Sequence, residues 1–341
     1  MLDSQEDALF LNVNEEIEKL EKKFKNRLII NTSKIFNIAK SQKVDFIVNY
    51  EKVNNIIKIN KFHEMVNEKL PINGIYISCA ESIVQRSKRK WKKNLLLLAP
   101  IFSFWDFLFK RVMPKLPIMK KIYFTLTQGK NRVMTETEIV GRLVSCGFEV
   151  NNILYYNNLT YVFSKKIRAP HFDMDPSYGP IFKMKRVGYD NKIISVYKFR
   201  TMSPYSEYVQ SEIINKNKLS KSGKINNDYR VTFYGKFLRK YWIDEFPMII
   251  NWFKRDLKLV GVRPLSEDYF KRYPKDLQKL RVKTKPGLIP PYYVDLPVTF
   301  DEICDSERRY LDLYLKNPFK TDFRYFFKAL YNILIKRRRS G

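Results

Sequence analysis

The chain's most informative segment reads DYRVTFYGKFLRKYWIDEFPMIINWFKRDL over residues 228–257. Its apolar residues recur at helical spacing and form one stripe: Leu238, Trp242, Phe246, Ile249, Ile250, Phe253 and Leu257. Asp244 and Glu245 fall outside this stripe, and Pro247 follows them at once. Because proline lacks an N–H and its ring clashes with the preceding turn, the segment predicts a helix that opens beside the two acids.

Adjacent carboxylates at a helix break have two interpretations. One acid can attack or take a proton while its neighbour holds a divalent cation, or both can form a surface pair stabilised by a helix N-terminus. The chain has only two histidines and three cysteines, with no CxxC pair. An oxygen-coordinated Mg²⁺ is therefore the cation that this composition can hold.

Basic residues lie on both sides of the acidic segment. GPIFKMKRVG (179–188) and VYKFRTM (196–202) predict a hairpin that turns at YDNK. Lys198 and Arg200 share one face of its second strand, which makes either a phosphate clamp or a solvated strand face.

Two short segments downstream each present one more cation. LVGVRP (259–264) predicts a short strand followed by a tight turn that projects Arg263, and KTKPGL (283–288) repeats this arrangement with Lys285. A guanidinium offers a rigid two-point grip, so Arg263 is the best candidate to bind a diphosphate.

GPIFKMKRVG, YKFRTM, FLRKYWIDEFP and LVGVRP, in this order and spacing, resemble the bacterial sugar transferase family. These are monotopic polyprenyl-phosphate sugar-1-phosphate transferases, also called phosphoglycosyl transferases. The match covers residues 178 to about 290 well and the C-terminal helix loosely. After KPG this chain reads LIPPYYVDLP, where the family normally has a threonine or serine, a glycine and a glutamine.

The resemblance implies a reaction in two steps on a nucleotide diphosphosugar, usually a UDP-sugar. Asp244 would be the nucleophile, which displaces UMP and carries the sugar phosphate until a polyprenyl phosphate accepts it. Glu245, together with Asp244, would bind Mg²⁺. Five cations would bind phosphates: Arg186, Lys198, Arg200, Arg263 and Lys285. Such a reaction initiates lipid-linked glycan synthesis.

The N-terminal part predicts a separate module of about 166 residues, with a basic and apolar insert at 84–134. Its strands and helices alternate, and residues 44–165 are similar to the C-terminal half of class I methyltransferases, an incomplete Rossmann-like fold. No glycine precedes Gly74, whereas that family binds its methyl donor on a glycine-rich loop, so we expect no S-adenosylmethionine binding. Residues 167–341 form the predicted helix-rich α+β transferase domain. The whole chain is thus predicted to be α/β.

The charge and the apolar segments predict a membrane surface as a partner. Lysine and arginine number 64 against 35 acids, a formal charge of +29. A basic cluster at 86–93 precedes an apolar run from Leu95 to Phe109 that is too short to span a bilayer and is broken by Pro100. An aromatic stripe near residues 323–335 suits an interfacial helix and a packed helix equally. We expect peripheral or monotopic re-entrant attachment to the cytoplasmic face of a bacterial inner membrane.

A non-catalytic protein is the alternative reading of the same basic and aromatic surface. Aromatics interleaved with lysine and arginine, as in KFRTM and RKYW, could stack the bases of a nucleic acid or bind a membrane. The chain contains no recognised nucleic-acid motif, and no closely spaced glycines for a Walker or dinucleotide loop. The acidic pair would repel a phosphate backbone, so we expect no nucleic-acid partner. The sequence does not indicate which oligomeric state the protein adopts.

Overall fold

The computed structural model describes residues 13–91, 104–172, 179–209 and 229–334. It divides into two compact units, Met1–Pro180 with Met202–Thr232, and Ile181–Thr201 with Phe233–Gly341. Helices and strands are mixed throughout, which confirms the predicted α/β class. The boundary predicted near residue 167 and the Rossmann-like assignment stay predictions.

The first unit is built on a five-stranded sheet with the order β1-β2-β3-β5-β4. Its strands are β1 (Arg27–Ile30), β2 (Phe46–Lys52), β3 (Ile75–Ala80), β4 (Phe148–Tyr156) and β5 (Leu159–Lys166). Strands β1, β2 and β3 run parallel, whereas β5 is antiparallel to both of its neighbours, β3 and β4. The sheet is therefore mixed.

Apolar side chains cover both faces of this sheet. Because successive strand residues point to opposite faces, Ile47 packs into one core while Phe46 and Val48 pack into the other. The helix at 13–21, α1, covers the second core with Val13 and Ile17. The other helices of the unit are α2 (Ile35–Ala39), α3 (Ile59–Lys69), α4 (Ile83–Trp91), α5 (Pro117–Thr127) and α6 (Glu136–Ser145).

Particular residues fix both ends of helix α6. The Thr135 hydroxyl accepts a hydrogen bond from the Glu138 N–H at the N-terminus. After the helix, Gly147 has φ +90°, and a Cβ at this position would lie 2.2 Å from the Arg168 carbonyl oxygen. Glycine is required here for both reasons.

The second unit begins with the predicted hairpin. Strands β6 (Ile181–Val187) and β7 (Ile193–Phe199) pair antiparallel, with Phe182 opposite Lys198 and Arg186 opposite Ile194. Two short parallel strands follow, β8 (Lys258–Val260) and β9 (Gly287–Ile289). The helices are α7 (Phe233–Lys240), α8 (Ile249–Phe253), α9 (Glu267–Phe270), α10 (Lys275–Arg281), α11 (Tyr292–Asp295), α12 (Phe300–Lys316) and α13 (Pro318–Leu334).

The apolar stripe predicted along residues 238–257 is not a single buried face. Helix α7 ends at Lys240, Trp242 adopts a left-handed conformation with φ 62°, and a 3₁₀ helix runs from Ile243 to Met248 before α8 begins. This break changes the helical phase, so Phe246 is 65% exposed and Phe253 is 74% exposed.

Within the described residues, no helix combines the length and the apolar character needed to cross a bilayer.

Candidate active site

Asp244 and Glu245 lie in the first turn of the 3₁₀ helix Ile243–Met248, which Pro247 also occupies. The preceding helix α7 is fixed against the end of the hairpin. A Cβ on Gly235 would lie 2.0 Å from the Thr201 carbonyl oxygen, so only glycine allows this approach. The helix break predicted beside the acids thus exists, although it begins at Trp242 rather than at the proline.

Both carboxylate oxygens of Glu245 accept hydrogen bonds. The Lys198 ammonium on β7 forms an ion pair with Oε1, and the Trp242 indole Nε1–H donates to Oε2 at 2.8 Å. Less than a fifth of the side chain of either Lys198 or Glu245 is exposed. The lysine predicted to bind phosphate therefore contacts the acid predicted to bind metal.

Asp244 has different surroundings. Its side chain is half-buried and accepts no hydrogen bond from any other residue that the structure describes. Burial, and then the charge of Glu245, raise the pKa of the Asp244 carboxyl, whereas Lys198 and Arg239 oppose this shift. Two adjacent acids thus differ, because one is bound by two donors and the other is not.

Arg263 lies in the turn after β8, and its side chain is exposed. Its backbone carbonyl accepts a hydrogen bond from Arg281 Nη2 at 2.5 Å. Arg281 in turn forms a buried ion pair with Glu307. The electrostatic effect of Tyr292, followed by that of Glu245, raises the pKa of Arg263, which indicates that its guanidinium lies near the acidic pair.

Arg186 and Lys198 lie on the same face of the hairpin. Lys198 on β7 is opposite Phe182 on β6, and Arg186 is four residues after Phe182, so both point to one side. Burial, and then repulsion from Arg263, lower the pKa of Arg186. The two guanidiniums therefore lie close enough to repel each other, an arrangement that an anion between them would stabilise.

The other two predicted cations have different surroundings. Arg200 follows β7, with its guanidinium 4.8 Å from the centre of the Phe182 ring. Lys285 is exposed on the loop before β9 and makes no hydrogen bond or ion pair with the other predicted site residues in the described structure. A hydrogen bond from the Gly287 N–H to the Val262 carbonyl joins its loop to that of Arg263.

A family model described as bacterial sugar transferase matches residues 167–336. This part of the chain belongs to that family. It contains the hairpin, the acidic pair and both helices α12 and α13.

Curated relatives match this chain over part of their own length. Galactosyl transferase CpsE of Streptococcus agalactiae is 35% identical over 139 residues, 39% of this chain and 31% of the relative. Undecaprenyl-phosphate galactose phosphotransferase of Salmonella typhimurium is 37% identical over 116 residues, 32% of this chain and 24% of the relative. UDP-glucose:undecaprenyl-phosphate glucose-1-phosphate transferase of Escherichia coli is 28% identical over 200 residues, 57% and 38% respectively. The chain thus spans well under half the length of these relatives.

Among solved structures, a possible exported protein from Bordetella parapertussis matches 40% of this chain and 43% of its own, with 8% identity and a TM-score of 0.26. This likeness is too low to support an argument.

Sequence reasoning missed two residues of the sugar transferase site. Trp242 was assigned to the apolar stripe, although its position three residues before Glu245 allows its indole N–H to reach that acid in a tight turn. Arg281, which donates a hydrogen bond to the Arg263 carbonyl, lies 18 residues after Arg263 in the sequence, at the end of an ordinary amphipathic helix. Only the folded structure brings it to the site.

Proposed function

We propose that this chain transfers a sugar 1-phosphate from a nucleotide diphosphosugar, in particular a UDP-sugar, to a polyprenyl phosphate. The observation that carries the proposal is the contrast within the acidic pair, where Glu245 is bound by donors on two other residues and Asp244 accepts no hydrogen bond from another described residue. The names of the Salmonella and Escherichia relatives support this substrate class. The reaction would begin a lipid-linked glycan.

In the first step an oxygen of the Asp244 carboxylate attacks the β-phosphorus of the donor. The new bond joins Asp244 to that phosphorus while the bond to the bridging oxygen breaks, so UMP leaves with the electron pair. In the second step an oxygen of the polyprenyl phosphate attacks the same phosphorus and releases Asp244. Covalent catalysis of this kind divides one difficult transfer into two easier ones.

Arg186 and Arg263 suit the diphosphate of the donor. Transfer of a phosphoryl group spreads negative charge over its oxygens, and cations in fixed positions stabilise that charge. Burial of Arg186, and then repulsion from Arg263, lower the pKa of Arg186, and a diphosphate between the two guanidiniums would relieve this repulsion. Arginine also grips two oxygens at once, which holds the phosphate in line.

The acidic pair fits Mg²⁺. This ion commonly binds one or two carboxylates together with substrate phosphates and water. Each oxygen of Glu245 accepts one hydrogen bond from Lys198 or Trp242, and a carboxylate offers about four lone-pair positions, so Glu245 retains free lone pairs beside Asp244. When bound, the ion would neutralise charge on the diphosphate. In the described residues no cluster of three or more His, Cys, Asp or Glu offers another metal site.

UMP release tests the transferase proposal. Enzyme with Mg²⁺ and a suitable UDP-sugar should release about one equivalent of UMP in a burst without lipid acceptor, because the covalent step comes first. Asp244→Asn should abolish the burst, since an amide of the same shape is a poor nucleophile. Asp268→Asn, the same change at an exposed position of α9, is the matched control and should leave the burst intact.

Near-normal turnover by Asp244→Asn would refute the nucleophile assignment. No UMP release from any UDP-sugar would refute the reaction itself. Saturable binding of an oligonucleotide by such an inactive protein would favour the non-catalytic alternative.

We also propose peripheral or monotopic attachment to the cytoplasmic membrane face, with α13 at the interface. One edge of α13 packs on its own unit through Tyr325 and Ala329, which are at most 7% exposed. The opposite edge exposes half or more of each of four aromatics: Phe319, Phe323, Phe327 and Tyr331. Exposed Lys320, Arg324 and Lys328 lie on the same helix. Aromatic rings with adjacent cations suit an anionic lipid interface.

The apolar run Leu95–Phe109 is a second candidate attachment. Its residues 95–103 lie outside the described part of the chain. Phe104, Trp105 and Phe109 are each about half exposed or more. Part of the basic cluster at 86–93 is already neutralised, because buried Arg86 pairs with Glu81 at 2.9 Å and with Asp106 at 2.7 Å.

Vesicle sedimentation tests which segment attaches. The double change Phe323→Ser and Phe327→Ser should release the chain from anionic vesicles if α13 binds the interface. Phe36→Ser, at a position 61% exposed in the first unit, is the control and should leave sedimentation unchanged. Full retention of the doubly changed protein would refute the role of α13 and leave Leu95–Phe109 as the attachment.

We infer that the N-terminal sheet is a Rossmann-like scaffold that does not bind S-adenosylmethionine. The parallel strands β1, β2 and β3, joined through helices, support the scaffold. The absence of any glycine before Gly74 supports the lack of binding. Saturable micromolar binding of S-adenosylmethionine in calorimetry on the full chain would overturn this inference.

A further inference from the structure

Trp242 combines an unusual backbone with a specific hydrogen bond. It has φ 62° and ψ 15°, a left-handed conformation that is uncommon for a bulky residue. Its indole N–H donates to Glu245 Oε2 at 2.8 Å. Its ring meets the buried Tyr293 edge to face, with centroids 5.4 Å apart. A strained backbone persists only when its surroundings fix it, and such residues concentrate at functional sites.

The strain determines where the indole points. A single left-handed residue separates the end of α7 from the 3₁₀ helix, and its indole N–H reaches the carboxylate three residues further along the chain. Lys198 reaches the other oxygen of that carboxylate from β7. Two donors on separate elements therefore determine both the position and the rotation of the Glu245 carboxylate.

We propose that Trp242 is a positioning residue, which together with Lys198 holds Glu245 so that Asp244 is the acid that reacts. This inference rests on the proposed transferase function and deepens it. Two hydrogen bonds to Glu245 stabilise its negative charge, and a carboxylate stabilised in this way is a weaker nucleophile. Asp244 accepts no such bond from another described residue, so its oxygens remain available for attack. Glu245 is thus the acid whose position is fixed, and Asp244 is the acid that reacts.

Trp242→Phe is the most informative substitution, because it retains an aromatic ring against Tyr293 and removes the indole N–H that donates to Glu245. We expect kcat for UMP release to fall about tenfold, the size of one charge-assisted hydrogen bond, with KM for the donor changed less than twofold. Trp252→Phe makes the same chemical change on α8, where the ring contacts Phe253 rather than the acidic pair. This control should retain wild-type kcat and KM.

A second measurement does not depend on activity. The chain has four tryptophans, so an amide correlation spectrum of the ¹⁵N-labelled full chain in nanodiscs should show four indole N–H resonances. The resonance lost in Trp242→Phe identifies this residue. It should move in Glu245→Gln and in Lys198→Met, because both changes alter the charge that it faces, while the Trp252 resonance stays in place.

The outcomes separate this inference from the proposed function. The positioning role would be refuted if the Trp242 resonance does not move in Glu245→Gln, or if Trp242→Phe has wild-type kcat. In either case, UMP release by the wild type would still support the transferase proposal. If the wild type releases no UMP from any UDP-sugar but the resonance responds, the transferase proposal fails and the contact between Trp242 and Glu245 remains.

Discussion

The buried ion pair between Arg281 and Glu307 offers a direct test of how the Arg263 turn is held. Arg281 is 5% exposed and Glu307 is 1% exposed. Burial lowers the pKa of Arg281 to about 10, so its guanidinium is still charged at neutral pH. The same guanidinium donates to the Arg263 carbonyl at 2.5 Å. One side chain therefore neutralises a buried acid and anchors a backbone turn of the candidate site.

Arg281→Met should destabilise the protein strongly. The variant leaves Glu307 buried without a partner, and breaking a buried pair in this way costs about 3–5 kcal/mol. The Arg263 carbonyl also loses its donor, which costs about 1 kcal/mol or more. Urea unfolding followed by circular dichroism measures the total. A loss below about 1 kcal/mol would refute the claim that the pair is buried and essential.

The double change Arg281→Met and Glu307→Leu separates stability from function. Replacing a whole buried pair by apolar residues is often neutral or stabilising, so the double variant should recover most of the lost free energy. It cannot restore the hydrogen bond to the Arg263 carbonyl. We therefore expect a folded enzyme whose KM for the UDP-sugar is raised about tenfold. A double variant as unstable as Arg281→Met, or one with unchanged KM, would contradict this reasoning.

Three further predictions use single substitutions. Burial lowers the pKa of His63 to about 3, against about 6.5 when unfolded, so the unfolded state binds the extra proton as the pH falls. The free energy of unfolding should therefore decrease by about 2 kcal/mol as the pH falls from 7 to 5, and His63→Leu should remove that difference in paired urea titrations. Gly235→Ala should destabilise the second unit by about 1–3 kcal/mol in thermal melts, because its Cβ would lie 2.0 Å from the Thr201 carbonyl oxygen; an unchanged melt would contradict this packing. Arg263→Lys should lower turnover in the UMP assay, since an ammonium cannot reproduce a two-point grip, and full activity would exclude a bidentate role.

Periodic patterns predicted much of the fold because they report burial directly. The alternating strands and helices predicted for the N-terminal part are present, and the predicted hairpin of 179–188 and 196–202 turns where expected. Strand β1 (Arg27–Ile30) was missed, since this four-residue edge strand has no fully buried position. The pattern at 228–257 predicted a helix that opens at Pro247, but the break begins at Trp242, and no propensity scale anticipates a tryptophan with positive φ.

For the site, the residue types could be predicted from the sequence, but their contacts could not. Lys198, Arg186 and Arg263 were chosen for their charge, and the structure gives each electrostatic contact with Glu245 or with each other. Their individual partners could not be predicted from the sequence. Lys198 and Glu245 are 47 residues apart, and their ion pair depends on how the hairpin packs against the 3₁₀ turn. Lys285 follows the same sequence logic and has no such contact in the described structure.

The acidic pair itself shows why a dipeptide cannot assign its own chemistry. In a 3₁₀ turn successive side chains point about 120° apart, so Asp244 and Glu245 face different neighbours although they share a peptide bond. Glu245 faces the hairpin and the indole, whose donors stabilise its charge, whereas burial and the charge of Glu245 destabilise the anion of Asp244. Acids whose surroundings differ in this way usually have different roles. The choice of Asp244 as the proposed nucleophile therefore follows from the geometry of one turn and from the residue that initiates it, Trp242.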